Sequence, residues 1–153
     1  MWDRIIKIIA AVAGGIAGLY GGWTAALTIL AVMMAVDYLT GILVAIAGRS
    51  PKTEHGGLSS KAGFIGLARK GFIMIIVLVA TLLDQAIGNT AMIFQTAATF
   101  YYIANEGLSI LENADLMGVP FPTFIRERLE DLRESKDKPP GSSLTPLNDH
   151  DES

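Results

Sequence analysis

Apolar residues along this chain come in four long blocks, at 5–22, 24–47, 64–87 and 91–111, each broken from the next by glycine, proline or charge. The first block, about 18 residues at about 1.5 Å each, reaches about 27 Å, close to the hydrocarbon thickness of a bilayer. Gly21-Gly22-Trp23 ends it as an uncharged turn, and the amphipathic ring of Trp23 suits a headgroup boundary. The second block, Thr24 to Ala47, closes at Gly48-Arg49-Ser50-Pro51, because proline forbids helix continuation and Arg49 prefers water. The third is predicted from about Phe64 to Ile87, after a His55-Gly56-Gly57 turn and a capping Ser59 or Ser60. Gly88-Asn89-Thr90 is again an uncharged turn. The fourth block is the most polar, and its polar residues are ordered: Gln95, Thr99, Tyr102, Glu106, Ser109 and Asn113 recur at alternating steps of four and three, so they share one helical face.

After residue 112 the pattern changes. Gly118-Val119-Pro120-Phe121-Pro122 is a stiff turn, followed by a charged segment, Thr123 to Ser135, with an apolar stripe of Phe124, Ile125, Leu129 and Leu132. Thr123 can cap this helix, and Arg126 and Glu130 are spaced as an i,i+4 pair. The pattern predicts an all-α, polytopic membrane protein: a transmembrane region over 1–112 with about four spans, a cytoplasmic turn and amphipathic helix over 113–135, and a disordered acidic tail over 136–153. Three spans, with the first block lying on or partly in the membrane, is the alternative. A cleaved signal peptide competes for that same block.

Composition supports lipid as solvent, since 51% of residues are hydrophobic and the mean hydropathy is +0.43. The net charge of -3 hides a useful distribution. Between residues 49 and 70, Arg49, Lys52, Lys61, Arg69 and Lys70 face Glu54 alone, so the basic loop at 49–63 and its helix entry are cytoplasmic by the positive-inside rule. Neither uncharged turn holds a lysine or arginine, which puts both termini in the cytoplasm. There is no cysteine, hence no disulfide and no thiolate metal site.

Two features carry candidate chemistry. Ala10, Gly14, Gly18 and Gly22 form a stripe of small residues that lets another helix approach closely. Asp37 stands near the middle of the second block, where a carboxylate is costly unless paired, protonated or wetted, with Thr40 or Tyr102 as hydrogen-bond partners. The face of Gln95, Thr99, Tyr102 and Glu106 either packs inward with its hydrogen bonds satisfied or lines a water-filled opening between subunits. Asp84 is expected near the outer interface, and His55 in a solvated loop. No phosphate-cradling loop, metal-ligand cluster or nucleophile elbow is present, so no enzyme, cofactor or metal is expected. The basic loop has too few aromatics for nucleic-acid binding.

The motifs VDYLTGILVA (Val36 to Ala45), GLSSKAGFIGLARK (Gly57 to Lys70), LLDQ (Leu82 to Gln85), NEGLSILENADLMGVPFP (Asn105 to Pro122) and FIRERLEDL (Phe124 to Leu132) resemble the phage-holin family that includes the toxin-secretion holins. The resemblance implies a small multi-pass protein of the bacterial cytoplasmic membrane that oligomerises and opens lesions, through which an endolysin reaches the wall or a toxin leaves the cell. It carries over no catalytic residue, and the endolysin or toxin is a functional partner without implied contact. Two other readings compete: a small proton- or ion-coupled channel or transporter using Asp37, and a scaffold whose tail helix recruits a cytoplasmic partner.

Overall fold

The computed structural model describes residues 2–53 and 55–137, and among these five helices form and no strand: α1 (Trp2–Leu19), α2 (Ala25–Ile46), α3 (Ser60–Ala86), α4 (Ile93–Leu116) and α5 (Thr123–Asp137). The segment expected to be an acidic disordered tail lies, from residue 138 onward, outside the described residues. Its first two positions, 136 and 137, are the last of α5.

Local chemistry sets the helix ends. The Thr24 hydroxyl accepts from the Leu27 amide at 3.2 Å and starts α2. Ser59 does the same for α3, accepting from Ala62 at 3.3 Å. Because Ser59 is the cap, α3 begins at Ser60 rather than near Phe64, and Lys61, Arg69 and Lys70 are helical rather than part of the basic loop. Gly21 and Gly22 have φ of 70° and 109°, which terminates α1 at Leu19 and leaves Gly22 in the turn, off the helical stripe. A Cβ at Gly21 would in addition displace the terminal methyl of Met92, which a flexible side chain can accommodate, so the positive φ is the main constraint.

Of the four spans expected, two helices among the described residues are long and apolar enough to cross a membrane, α2 and α3. The other two fall short for a physical reason. The 18 residues of α1 include Asp3, Arg4 and Lys7, and the 24 of α4 include Gln95, Asn105, Glu106, Glu112, Asn113 and Asp115. Each such group prefers water to hydrocarbon unless a protein partner is provided.

For α4 that partner is provided. It is the central helix, packed against α2, α3 and α5. Tyr20, Leu27, Leu30, Met34, Ile73 and Val77 form the apolar core, with Ala98, Tyr102 and Ile103 of α4 against it. The Tyr20 hydroxyl donates to the Met74 carbonyl at 2.9 Å and pins the α1–α2 turn to α3. By contrast α1 packs only on α3 among the helices and buries none of its residues.

The helix α5 folds back on α4. Part of its stripe is used within the chain, as Leu129 packs over Gly107 of α4, whereas Phe124 is exposed; the side chain of Leu132 lies outside the described set. In place of the Arg126–Glu130 pair expected from spacing, Arg128 pairs with Asp131 at 3.7 Å and Arg126 lies over the Phe121 ring. A Cβ at Gly107 would stand 3.0 Å from Leu129 Cδ1 and 3.3 Å from Met33 Cε. Gly107→Val should therefore overpack this seam by about 1–3 kcal/mol and lift α5. Trypsin should cut faster at Arg126 and Arg128 in that variant and at the parent rate in Gly71→Val, where a Cβ meets nothing within 4 Å.

Candidate functional site: a buried charge cluster between three helices

At about 1.5 Å per residue, Asp37 lies about 14 Å back from the end of α2, Lys70 about 15 Å into α3, and Glu106 about 15 Å back from the end of α4. Those three ends belong to one side of the bundle, where Arg49 donates to the Leu116 carbonyl at 3.1 Å. Three ionisable residues on three helices are thus brought to one depth. The Lys70 ammonium donates to Asp37 Oδ2 at 2.8 Å and to Glu106 Oε2. Its side chain is 12% exposed and that of Glu106 5%.

A second ring of hydrogen bonds fixes the carboxylate of Asp37. Asn113 donates through Nδ2 to Asp37 Oδ1 at 3.2 Å and to Thr40 Oγ1 at 2.9 Å, while the Thr40 hydroxyl donates to the Asp37 carbonyl at 3.0 Å. One ammonium against two carboxylates leaves the cluster at -1 with both acids ionised and neutral with one protonated. Its strength lies in joining α2, α3 and α4 at a single point. A cleft of about 140 Å³ connects the cluster to the α2–α3 connection, lined among others by Tyr38, Ser50, Lys52, Gly63 and Ser109.

The other end of the bundle is held by Asp84, two residues from the end of α3 and wholly buried within the protein. Met92, at the N-cap of α4, has no side-chain oxygen and a left-handed φ of 50°. Asp84 of α3 caps that helix from outside: its carboxylate accepts from the amides of Phe94 at 3.2 Å and Gln95 at 2.8 Å, and from Asn89 Nδ2 at 2.6 Å. Two free amides and the positive end of the α4 dipole make the buried charge tolerable. The Gln95 side chain then donates through Nε2 to the Tyr20 carbonyl at 2.7 Å and to Thr81 Oγ1 at 2.8 Å, tying the α1–α2 turn into the same network.

Within the single chain the polar face of α4 takes the inward arrangement. Gln95, Thr99, Glu106 and Asn113 are buried, Tyr102 and Ser109 partly so, and among the described residues no buried side-chain nitrogen or oxygen lacks a hydrogen-bond partner. The face packs inward within one bundle. Of the basic residues, Arg49 binds Leu116, Lys52 borders the cleft, Lys61 and Arg69 are exposed, and Lys70 turns inward. His55 is exposed. Ala10, Gly14 and Gly18 are exposed too, and a Cβ at either glycine would meet nothing within 4 Å, so the stripe engages no helix among the described residues.

Sequence reasoning put Lys70 at the membrane boundary and missed it as the partner of Asp37. Depth counting from the α2–α3 connection carries the signal that could have paired them. The role of Asn113 was half visible, since it lies on the polar face of α4, but nothing local linked it to Asp37 76 positions away.

Comparison with known proteins gives a consistent assignment. An uncharacterized protein of Clostridium perfringens strain 13 is 39% identical over 114 residues, covering 74% of this chain and 79% of the relative. An uncharacterized protein of Halalkalibacterium halodurans is 37% identical over 142 residues, covering 89% and 99%. A protein of Bacillus phage phi105 named probable holin is 32% identical over 113 residues, covering 73% and 77%. No solved structure matches the chain. The profile of the bacteriophage holin family matches residues 14–134, a stretch that holds the charge cluster, the Asp84 cap and most of the tail helix, and the chain therefore belongs to the bacteriophage holin family.

Proposed function

We propose that this chain is a holin that assembles with copies of itself in the bacterial cytoplasmic membrane and, at a set time, opens lesions that pass a phage endolysin or a secreted toxin. The family match over residues 14–134 carries the reading. With the basic α2–α3 connection in the cytoplasm, both termini lie on that same side when α1 and α4 cross as well, α4 with its polar groups paired inside the bundle and α1 packed on another copy. Because the polar face of α4 is satisfied inside each bundle, a wide opening has to form between copies. A transporter using Asp37 as a free proton or cation site is disfavoured by the Lys70 and Asn113 contacts that occupy it. A scaffold using the tail stripe is disfavoured by the packing of Leu129 on α4.

Induced in bacteria, the chain should collapse the membrane potential abruptly after a delay, and a co-expressed muralytic enzyme should then lyse the culture. Undisturbed growth with a steady potential would refute the reading. Oligomerisation has its own check. Gly18 lies on α1, where an added Cβ meets nothing within 4 Å, so Gly18→Leu should leave the monomer intact and reduce chemically cross-linked oligomers.

A further inference from the structure

The helix α5 lies where its composition is out of place in lipid. Leu129 of α5 and Met33 of α2 both come within 3.3 Å of one point, the Cβ position of Gly107. Met33 stands about 12 Å from the Ala25 end of α2 and about 20 Å from the Ile46 end, so α5 reaches alongside the middle of an apolar span. There its outer side carries Glu127, Arg128 and Asp131, all exposed, with the Arg128 and Asp131 side chains 81% and 71% accessible. Elsewhere on the bundle α2 and α3 expose Val32, Val36, Leu39, Ile75 and Val79. Ionised groups turned to hydrocarbon cost several kcal/mol each, so a flank of this kind needs water beside it.

We propose that the α5 flank is the wall of the aqueous opening: copies gather with α5 turned toward shared water and with α2 and α3 turned toward lipid. The proposal rests on the lesion-forming reading above. It assigns the water-facing surface to Glu127, Arg128 and Asp131 instead of the Gln95 to Glu106 face, which stays closed within each bundle. It also requires α5 to remain on α4 while the lesion is open.

The test uses the full chain reconstituted in liposomes of bacterial phospholipid loaded with fluorescent dextran. Replacing the outer charges together, Glu127→Leu with Arg128→Leu and Asp131→Leu, should cut dextran release about tenfold while the chain stays in the membrane fraction. Swapping their signs, Glu127→Lys with Arg128→Glu and Asp131→Lys, keeps the flank polar and should retain release. The parent has no cysteine, so Gly107→Cys with Leu129→Cys can lock α5 onto α4 by oxidation without competing thiols. The locked chain should release as much dextran as the reduced one. Undiminished release by the leucine variant, or release lost on locking and restored by reduction, would overturn the assignment. If the reduced pair releases nothing, the leucine and sign-swapped variants decide alone. Absence of release by the parent chain would instead sink the holin reading itself, whatever the position of α5.

Discussion

Lys70→Met is expected to destabilise the bundle by about 3–5 kcal/mol, measured by equilibrium unfolding in mixed detergent micelles, and to bring lysis forward in time. Among the described residues the lysine is the one cation that meets Asp37 and Glu106. Without it two carboxylates remain in a nearly closed site, and among the described residues only Asn113 still donates to the Asp37 carboxylate. Asp37→Leu should be milder, because it leaves a one-to-one pair between Lys70 and Glu106; it should still shift the time of lysis. Removing the whole cluster, with Asp37→Leu, Lys70→Met and Glu106→Leu, should recover most of the stability, since buried ion pairs are often replaceable by apolar groups of similar size. That non-additivity separates a charge-balanced latch from three independent contacts. A triple-variant loss equal to the sum of the three single-variant losses would show that the cluster does not act as a unit.

Asp84→Ala should cost about 3 kcal/mol, because it strips the amides of Phe94 and Gln95 of their acceptor inside the protein and frees Asn89 as well. The first turn of α4 should fray, seen as faster amide hydrogen exchange at residues 94 and 95 than in the parent. Asn89→Ala removes only one of the donors to the carboxylate and should cost about 1 kcal/mol. If Asp84 were simply a solvated residue at the lipid boundary, both substitutions would be nearly silent. The two ends of the bundle are thus held differently: a cross-helix capping carboxylate at one, an ammonium shared by two acids at the other.

What the sequence determined by itself was the all-helical class, the turn positions and the amphipathic tail. Glycine and proline punctuation, serine and threonine caps and helical spacing all act within a few residues of where they are read. The common face of Gln95, Thr99, Glu106 and Asn113 was legible for the same reason. The direction in which that face points was not, because spacing orders residues around a helix without saying which neighbour covers them. Only the tertiary structure brought Lys70 to Asp37, 33 positions away, and Asp84 to the amides of a different helix. It also showed that α1 and α4 do not match α2 and α3 as apolar spans, and that α1 buries nothing within its own chain. Hydropathy sums a segment's preference for lipid, but the fate of a polar residue inside it depends on long-range partners. Packing α4 between α2, α3 and α5 supplied those partners, which no local pattern could specify.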